Sequence, residues 1–197
     1  MTVVACLGDS ITAGSPLWDP DPDVRARIDA ALDERSQWQW WAAQRDPSLE
    51  LRNHGVYGER TDEIAARLEA AAAGAEVLIV QGGINDVVQK RPVEQAAANL
   101  AAMVVRGRRL GLRVALADVL PWNNGDGRAA NDIVRLNTLI AALAHELGVP
   151  LLPFHDTLVD ANRPQQMREE CTDDGDHPSV EGHRLLGERA FSLPGPS

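Results

Sequence analysis

No apolar stretch in this chain of 197 residues approaches the roughly 18 residues needed to cross a bilayer, so no membrane insertion is expected. The first residues, Met1-Thr2-Val3-Val4, lack a basic leader and run straight into an apolar segment. No secretory signal is visible there, and a cytoplasmic location is the expectation. Two cysteines do not make a disulfide framework. Cys6 reads as a buried small apolar residue and Cys171 as a loop thiol, with reactivity the lesser reading. Positive charge is also scarce: 19 Lys and Arg stand against 29 Asp and Glu, a formal net charge of -10. That excess repels phosphate backbones and anionic membrane surfaces, so nucleic acid is not an expected partner and strongly anionic substrates are disfavoured. The glycine-containing loop after the first apolar run has no Gly-x-Gly-x-x-Gly pattern and no phosphate-cradling lysine, which leaves a nucleotide-binding domain little support.

What the chain does have is a regular alternation of patterns. Its length suits one well-buried core, and a single domain over residues 1–197 is expected. Continuous apolar runs at 3–7, 77–80, 114–117 and 149–152 fit strands buried on both faces of a parallel sheet. Residues 49–53 alternate instead, predicting a weaker and more peripheral strand. Residues 62–73 carry Ile64, Leu68 and Ala72 at four-residue spacing, with Gly74 as a stop. Pro92 opens a second helical segment with Leu100, Met103, Val104 and Leu110 on one side and Gly111 at its end. Residues 131–147 repeat the device before Gly148, and a last helix starts near Ser179. Strand and helix alternate throughout, which predicts an α/β domain of three layers, α/β/α.

Two stretches break the rhythm. The acidic, proline-containing segment from Trp18 to about Asp33 and the loop 120–127 are both expected near carboxyl ends of strands, where open α/β sheets bind ligands. Trp18 and Trp122 are therefore candidates to line the pocket, against ordinary loop packing. Trp38, Trp40 and Trp41 cannot share one helical stripe; packing is favoured over ligand stacking, with at least one ring at the core edge or a contact surface.

Four polar segments follow the apolar runs or precede the last helix. A serine hydroxyl is a weak nucleophile near neutral pH and needs a base, a group to orient that base, and donors for the developing oxyanion. Ser10 ends the first strand at a Gly-Asp-Ser-Ile-Thr turn, where it reads either as nucleophile or as helix cap. In Asn53-His54-Gly55-Val56-Tyr57-Gly58, Gly58 can offer an unobstructed N–H; His54 has no carboxylate at a suitable short spacing and is a poor base candidate. Asn85, in Gln81-Gly82-Gly83-Ile84-Asn85-Asp86, is a neutral donor, and Asp86 is better explained as a loop brace or cap. Asp174 and His177 are three apart across Gly175, an offset that on a turn can set the carboxylate against one imidazole nitrogen and leave the other facing Ser10, against the reading of a surface acidic loop with an incidental histidine. Asp176, adjacent to the histidine, is expected to point elsewhere. Each piece alone has a structural explanation, whereas four in complementary roles point to acyl transfer.

On Gly8-Asp9-Ser10-Ile11, Gly58 within Asn-x-Gly-x-x-Gly-x-x-Thr, Gly83-Ile84-Asn85-Asp86 and Asp174-Gly175-Asp176-His177-Pro178, the chain resembles the SGNH, or GDSL-like, hydrolase family over about residues 3 to 190. Ile11 stands where the family name has leucine, a conservative change. The resemblance implies a flavodoxin-like five-stranded parallel sheet and a serine esterase working through an acyl-enzyme. It makes Ser10 the nucleophile, His177 the general base and Asp174 its orienting partner, with the Ser10 N–H, Gly58 and Asn85 as oxyanion donors. No cofactor and no metal are implied. The expected partner is a small ester, short-acyl by preference because no amphipathic lid is visible. A carbohydrate O-acetyl esterase, a lysophospholipase or a thioesterase would use the same centre, and the oligomeric state stays open. Two competitors carry less weight. A metallohydrolase would have to draw ligands from Asp174, Asp176, His177 and His183, whose spacing suits it badly, and a binding module would leave Ser10 dispensable.

Overall fold

A computed structural model of the chain describes residues 1–195. Five parallel strands form the central sheet: β1 (Thr2–Gly8), β2 (Leu49–Gly55), β3 (Val77–Val80), β4 (Arg113–Ala117) and β5 (Leu151–Leu152), in the order β2-β1-β3-β4-β5. The helices are α1 (Ser10–Ala13), α2 (Pro22–Arg25), α3 (Trp38–Arg45), α4 (Thr61–Ala66), α5 (Leu68–Ala71), α6 (Ile84–Val88), α7 (Val93–Arg109), α8 (Gly127–Leu147), α9 (Phe154–Leu158) and α10 (Val180–Leu185). An antiparallel pair, β6 (Val159–Asp160) and β7 (Arg163–Met167), follows α9. Among the described residues, no helix is long and apolar enough to cross a membrane.

Strands buried on both faces require apolar residues at every position, and β3, Val77–Val80, is buried throughout. From β1 the chain goes first to β2 on one side, then to β3, β4 and β5 on the other. With crossovers of the usual hand, that reversal sends α3 to one face and α4, α7 and α8 to the opposite face. It also opens a crevice beyond the carboxyl ends of β1 and β3, where ligands bind in sheets of this kind.

Where the structure departs from the sequence reading, the reasons are local. The helical stretch 62–73 is two helices separated at Arg67, whose guanidinium turns to Glu59 and to the carbonyls of His54 and Gly8. The strand expected over 149–152 shrinks to Leu151–Leu152, because Pro150 has no N–H for the ladder and only its carbonyl pairs, with Leu116 N–H at 3.0 Å. The pair β6 and β7 has no signal in the sequence, since Arg163-Pro164-Gln165-Gln166 carries no apolar alternation. Cys171 is no open loop thiol: it is buried as the last residue of a short 3₁₀ turn, and burial pushes its thiol pKa up. Of the three neighbouring tryptophans, Trp38 enters the core between Phe154 at 5.6 Å and Phe191 at 5.5 Å. Trp40 and Trp41 stack edge to face on the surface at 4.7 Å.

Candidate active site

The site begins with the turn from β1 into α1. Asp9 caps α1 by accepting the Ile11 N–H at 3.0 Å, and its other oxygen accepts Gln81 Nε2 at 3.1 Å. Gln81 in turn accepts the Thr12 hydroxyl at 2.8 Å, tying the end of β3 to the helix that carries Ser10. Asp9 is fully buried, and burial lifts its pKa to about 6 against the opposing effect of these hydrogen bonds. As the first residue of α1, Ser10 has an N–H without a partner inside the helix. The α1 helix also sits directly on β2: a Cβ on Gly55 would lie 2.0 Å from the Ala13 nitrogen.

The last polar turn delivers the imidazole. Thr172 closes it by donating its hydroxyl to the His177 carbonyl at 2.7 Å and accepting the Gly175 N–H at 2.9 Å. Asp174 Oδ1 accepts the N–H groups of Asp176 at 2.8 Å and His177 at 2.7 Å, while Oδ2 lies 2.8 Å from His177 Nδ1. Burial raises the pKa of Asp174, but the bonds from the His177 ring and from the two backbone N–H groups outweigh it and hold the carboxyl below its ordinary value. A carboxylate only accepts, so Nδ1 carries the hydrogen and the neutral ring presents a lone pair at Nε2. That Nε2 stands 3.2 Å from Ser10 Oγ, across 167 positions of sequence.

Ser10, Gly58, Asn85, Trp122, Asp176 and His177 line one cavity of about 240 Å³. Gly58 takes a left-handed φ of 77°. Asn85 donates one amide hydrogen to the Glu59 carbonyl at 2.9 Å, which fixes the amide and leaves its second hydrogen for the cavity. Asp86 braces the neighbouring loop, accepting both the Thr61 N–H and the Thr61 hydroxyl at 3.0 Å. Ile11, Ile84 and Val88 give the cavity an apolar side, and Tyr57, 66 % exposed, stands with its ring 6.1 Å from that of His177.

Trp18 lies outside this cavity. Its ring is covered by the Arg25 guanidinium at 4.6 Å, and Arg25 also holds the Asp19 and Pro20 carbonyls, so the acidic segment folds on itself. His54 lines a different cavity of about 530 Å³ with Asp19, Val24 and Arg67, and burial with the nearby arginines pushes its pKa down. His183 is fully buried on α10, and burial pushes its pKa down to about 3. Among the described residues, no group of three or more His, Cys, Asp or Glu is arranged to hold a metal ion. The sequence marks Gln81 as the first polar residue after an apolar strand but gives it no role; the cavity role of Asp176 had no such signal, because it depends on Trp122.

The sequence model of the GDSL-like lipase/acylhydrolase family matches residues 6–185. No curated protein sequence matches the chain significantly. Its fold is similar to that of a lipolytic protein of the G-D-S-L family from Desulfitobacterium hafniense DCB-2, at 24% identity, covering 95% of this chain and 97% of that one, with a TM-score of 0.79. It is similar too to the W215I variant of Axe2, an acetyl xylan esterase from Geobacillus stearothermophilus, at 18% identity, covering 96% of this chain and 92% of the other, with a TM-score of 0.74. TesA shares 22% identity over 95% of this chain and 93% of its own, with a TM-score of 0.70. The family match spans nearly the whole chain and includes every segment that contributes to the Ser10 cavity, and the protein belongs to the GDSL-like lipase/acylhydrolase family.

Proposed function

We propose that this protein is a serine esterase that hydrolyses short-acyl carboxylic esters through an acyl-enzyme. The reading is carried by the chain of contacts from Ser10 Oγ to His177 Nε2 at 3.2 Å and from His177 Nδ1 to Asp174 at 2.8 Å, inside a cavity that Gly58 and Asn85 also line. Ser10 Oγ attacks the ester carbonyl carbon while its proton passes to His177 Nε2. The carbonyl electrons move onto oxygen, where the N–H groups of Ser10 and Gly58 and the amide of Asn85 receive the charge. Collapse expels the alcohol, which takes the proton from Nε2. Water then attacks the acyl-enzyme, giving its proton to Nε2, and Ser10 recovers it as the acid leaves. Asp174 stays a carboxylate throughout, holding the ring in the tautomer that can accept.

A cavity of about 240 Å³ favours a short acyl group. Sites for drug-sized ligands usually hold roughly 300–1,000 Å³. The acetyl xylan esterase of similar fold makes acetylated saccharides worth assaying beside simple esters. The test is hydrolysis of 4-nitrophenyl esters from acetyl to dodecanoyl, with acetylated saccharides in parallel, by the wild type and Ser10→Ala. Turnover that disappears in the variant, with a serine-directed phosphonate found on Ser10 by mass spectrometry, is expected. Ester turnover retained by Ser10→Ala, or a phosphonate that leaves Ser10 untouched, ends the reading.

A further inference from the structure

We propose that Asp176 sets the acyl-length limit of this site by locking the Trp122 indole in place as its end wall; this rests on the esterase reading above. The residue sits beside His177 in sequence, yet its carboxylate serves a different partner. Asp176 Oδ1 accepts the Trp122 indole N–H at 2.6 Å and Asn124 Nδ2 at 2.8 Å. Both are charge-assisted bonds to one oxygen, stronger than neutral pairs and directional for the indole plane.

The loop that carries Trp122 is stitched to the triad turn at several more points. Asn124 Nδ2 also donates to the Asp174 carbonyl at 2.8 Å, and the Asn123 N–H donates to the Gly175 carbonyl at 3.0 Å. The Asn123 side chain bridges to Met167, donating to its carbonyl at 3.2 Å and accepting its N–H at 2.7 Å.

Two glycines make the fit. A Cβ on Gly125 would stand 2.7 Å from Trp122 Cε3, so the indole lies against a backbone surface that no other residue presents. A Cβ on Gly175, whose φ is 79°, would meet the Asn124 amide at 2.9 Å. The ring is thus held at its N–H edge by Asp176 and along its benzene side by Gly125. Leaving this rotamer would break the indole bond to Asp176 and the contact with Gly125.

Ile11, Ile84, Val88 and Trp122 line the same cavity as Ser10 and give it an apolar character that suits the methylenes of an acyl chain; on this proposal a longer chain meets the fixed ring. Releasing the indole removes that stop. The polar alcohol oxygen, by contrast, must stay within reach of His177 Nε2.

The experiment compares wild type, Asp176→Ala, Asp176→Asn, Trp122→Ala and Trp122→Phe. For each, kcat/KM is measured on 4-nitrophenyl esters of rising acyl length and on acetate esters of alcohols of rising size. Exchange of the Trp122 indole N–H with solvent is followed by NMR. The octanoate-to-acetate ratio is expected to rise about tenfold or more in Asp176→Ala and Trp122→Ala, within the range set by a few methylenes in an apolar pocket. Asp176→Asn keeps an acceptor oxygen and keeps the wild-type ratio, and the order of the alcohol series does not move. The indole N–H is protected in the wild type and in Asp176→Asn and exchanges freely in Asp176→Ala. If Asp176→Ala fails to fold, Trp122→Phe decides, because it removes only the N–H donor and a small ring; its ratio must rise as well. A ratio unmoved in these variants, a shift in the alcohol series instead, an Asp176→Asn that behaves like Asp176→Ala, or a wild-type indole that exchanges freely overturns the proposal. If the wild type neither turns over esters nor takes the phosphonate, the esterase reading fails and this one with it. A labelled, active wild type with an unmoved ratio ends this one alone.

Discussion

Both oxygens of Asp174 are engaged by His177: Oδ2 lies 2.8 Å from the ring Nδ1, and Oδ1 accepts the residue's own backbone N–H at 2.7 Å. One carboxylate therefore fixes the turn and the ring together. Asp174→Asn keeps an oxygen for the backbone but can place an amide N–H against Nδ1, which forces the hydrogen to Nε2 and removes the lone pair facing Ser10. A fall in kcat of about 10⁴-fold with little change in thermal midpoint is expected. Steady-state kinetics and calorimetry on the same preparation check it; near-normal turnover would deny His177 its role as base.

Asn85 is held by the Glu59 carbonyl at 2.9 Å, so its remaining amide hydrogen is aimed before substrate arrives. Replacing it with alanine removes a donor that matters most once charge has developed on the substrate oxygen. The expected loss is about 10²- to 10³-fold in kcat, with KM far less affected. A loss confined to KM would make Asn85 a ground-state binding group instead.

Two buried groups give the fold opposite pH dependences. His183, with a folded pKa of about 3, stays neutral while the unfolded chain takes up a proton below the ordinary 6.5. Stability therefore falls as pH drops from 6.5 towards 3, and His183→Met should flatten that acid limb. Asp118 accepts the His155 N–H at 2.7 Å, and burial lifts its pKa to about 7 from the ordinary 3.8. The folded state keeps its proton where the unfolded state has lost it, so stability falls as pH rises from 3.8 to 7 and is level above. Asp118→Asn is expected to be more stable than wild type at pH 8, by on the order of a few kcal/mol, and no different at pH 3. Urea unfolding at pH 3, 5 and 8 measures both; an Asp118→Asn gain that is the same at every pH would remove titration as the cause.

Gly55→Ala tests how closely β2 and α1 are packed. The added Cβ would meet the Ala13 nitrogen at 2.0 Å, so α1 must shift and carry Ser10 with it. A loss of about 1–3 kcal/mol in unfolding free energy is expected, together with reduced turnover. Unchanged activity would mean that Ser10 tolerates movement of its helix.

The buried strands were legible because a strand covered on both faces must be apolar at every position, as β3 is, and because polar residues begin as soon as burial ends. The same logic exposed Ser10, Gly58 and Asn85, each just beyond a strand. Asp174 and His177 were legible for a different reason: the i, i+3 offset is local, and a glycine between them permits the turn. Arg67, in the middle of a clean helical pattern, was not legible as a break, because its partners Glu59, His54 and Gly8 come from elsewhere. Trp18 failed as a pocket residue on similar grounds, since only the folded segment brings Arg25 over its ring.

By itself the sequence determined which strand residues had to be buried, where those strands gave way to polar chemistry, and that Asp174 and His177 could share one turn, because all three depend on near neighbours in the chain. Only the tertiary structure decided that His177 faces Ser10 across 167 positions and that Asp176 serves Trp122 instead of the histidine beside it. Contacts between distant segments are set by how the sheet order and the crossovers bring strand ends together, and no local pattern encodes that meeting.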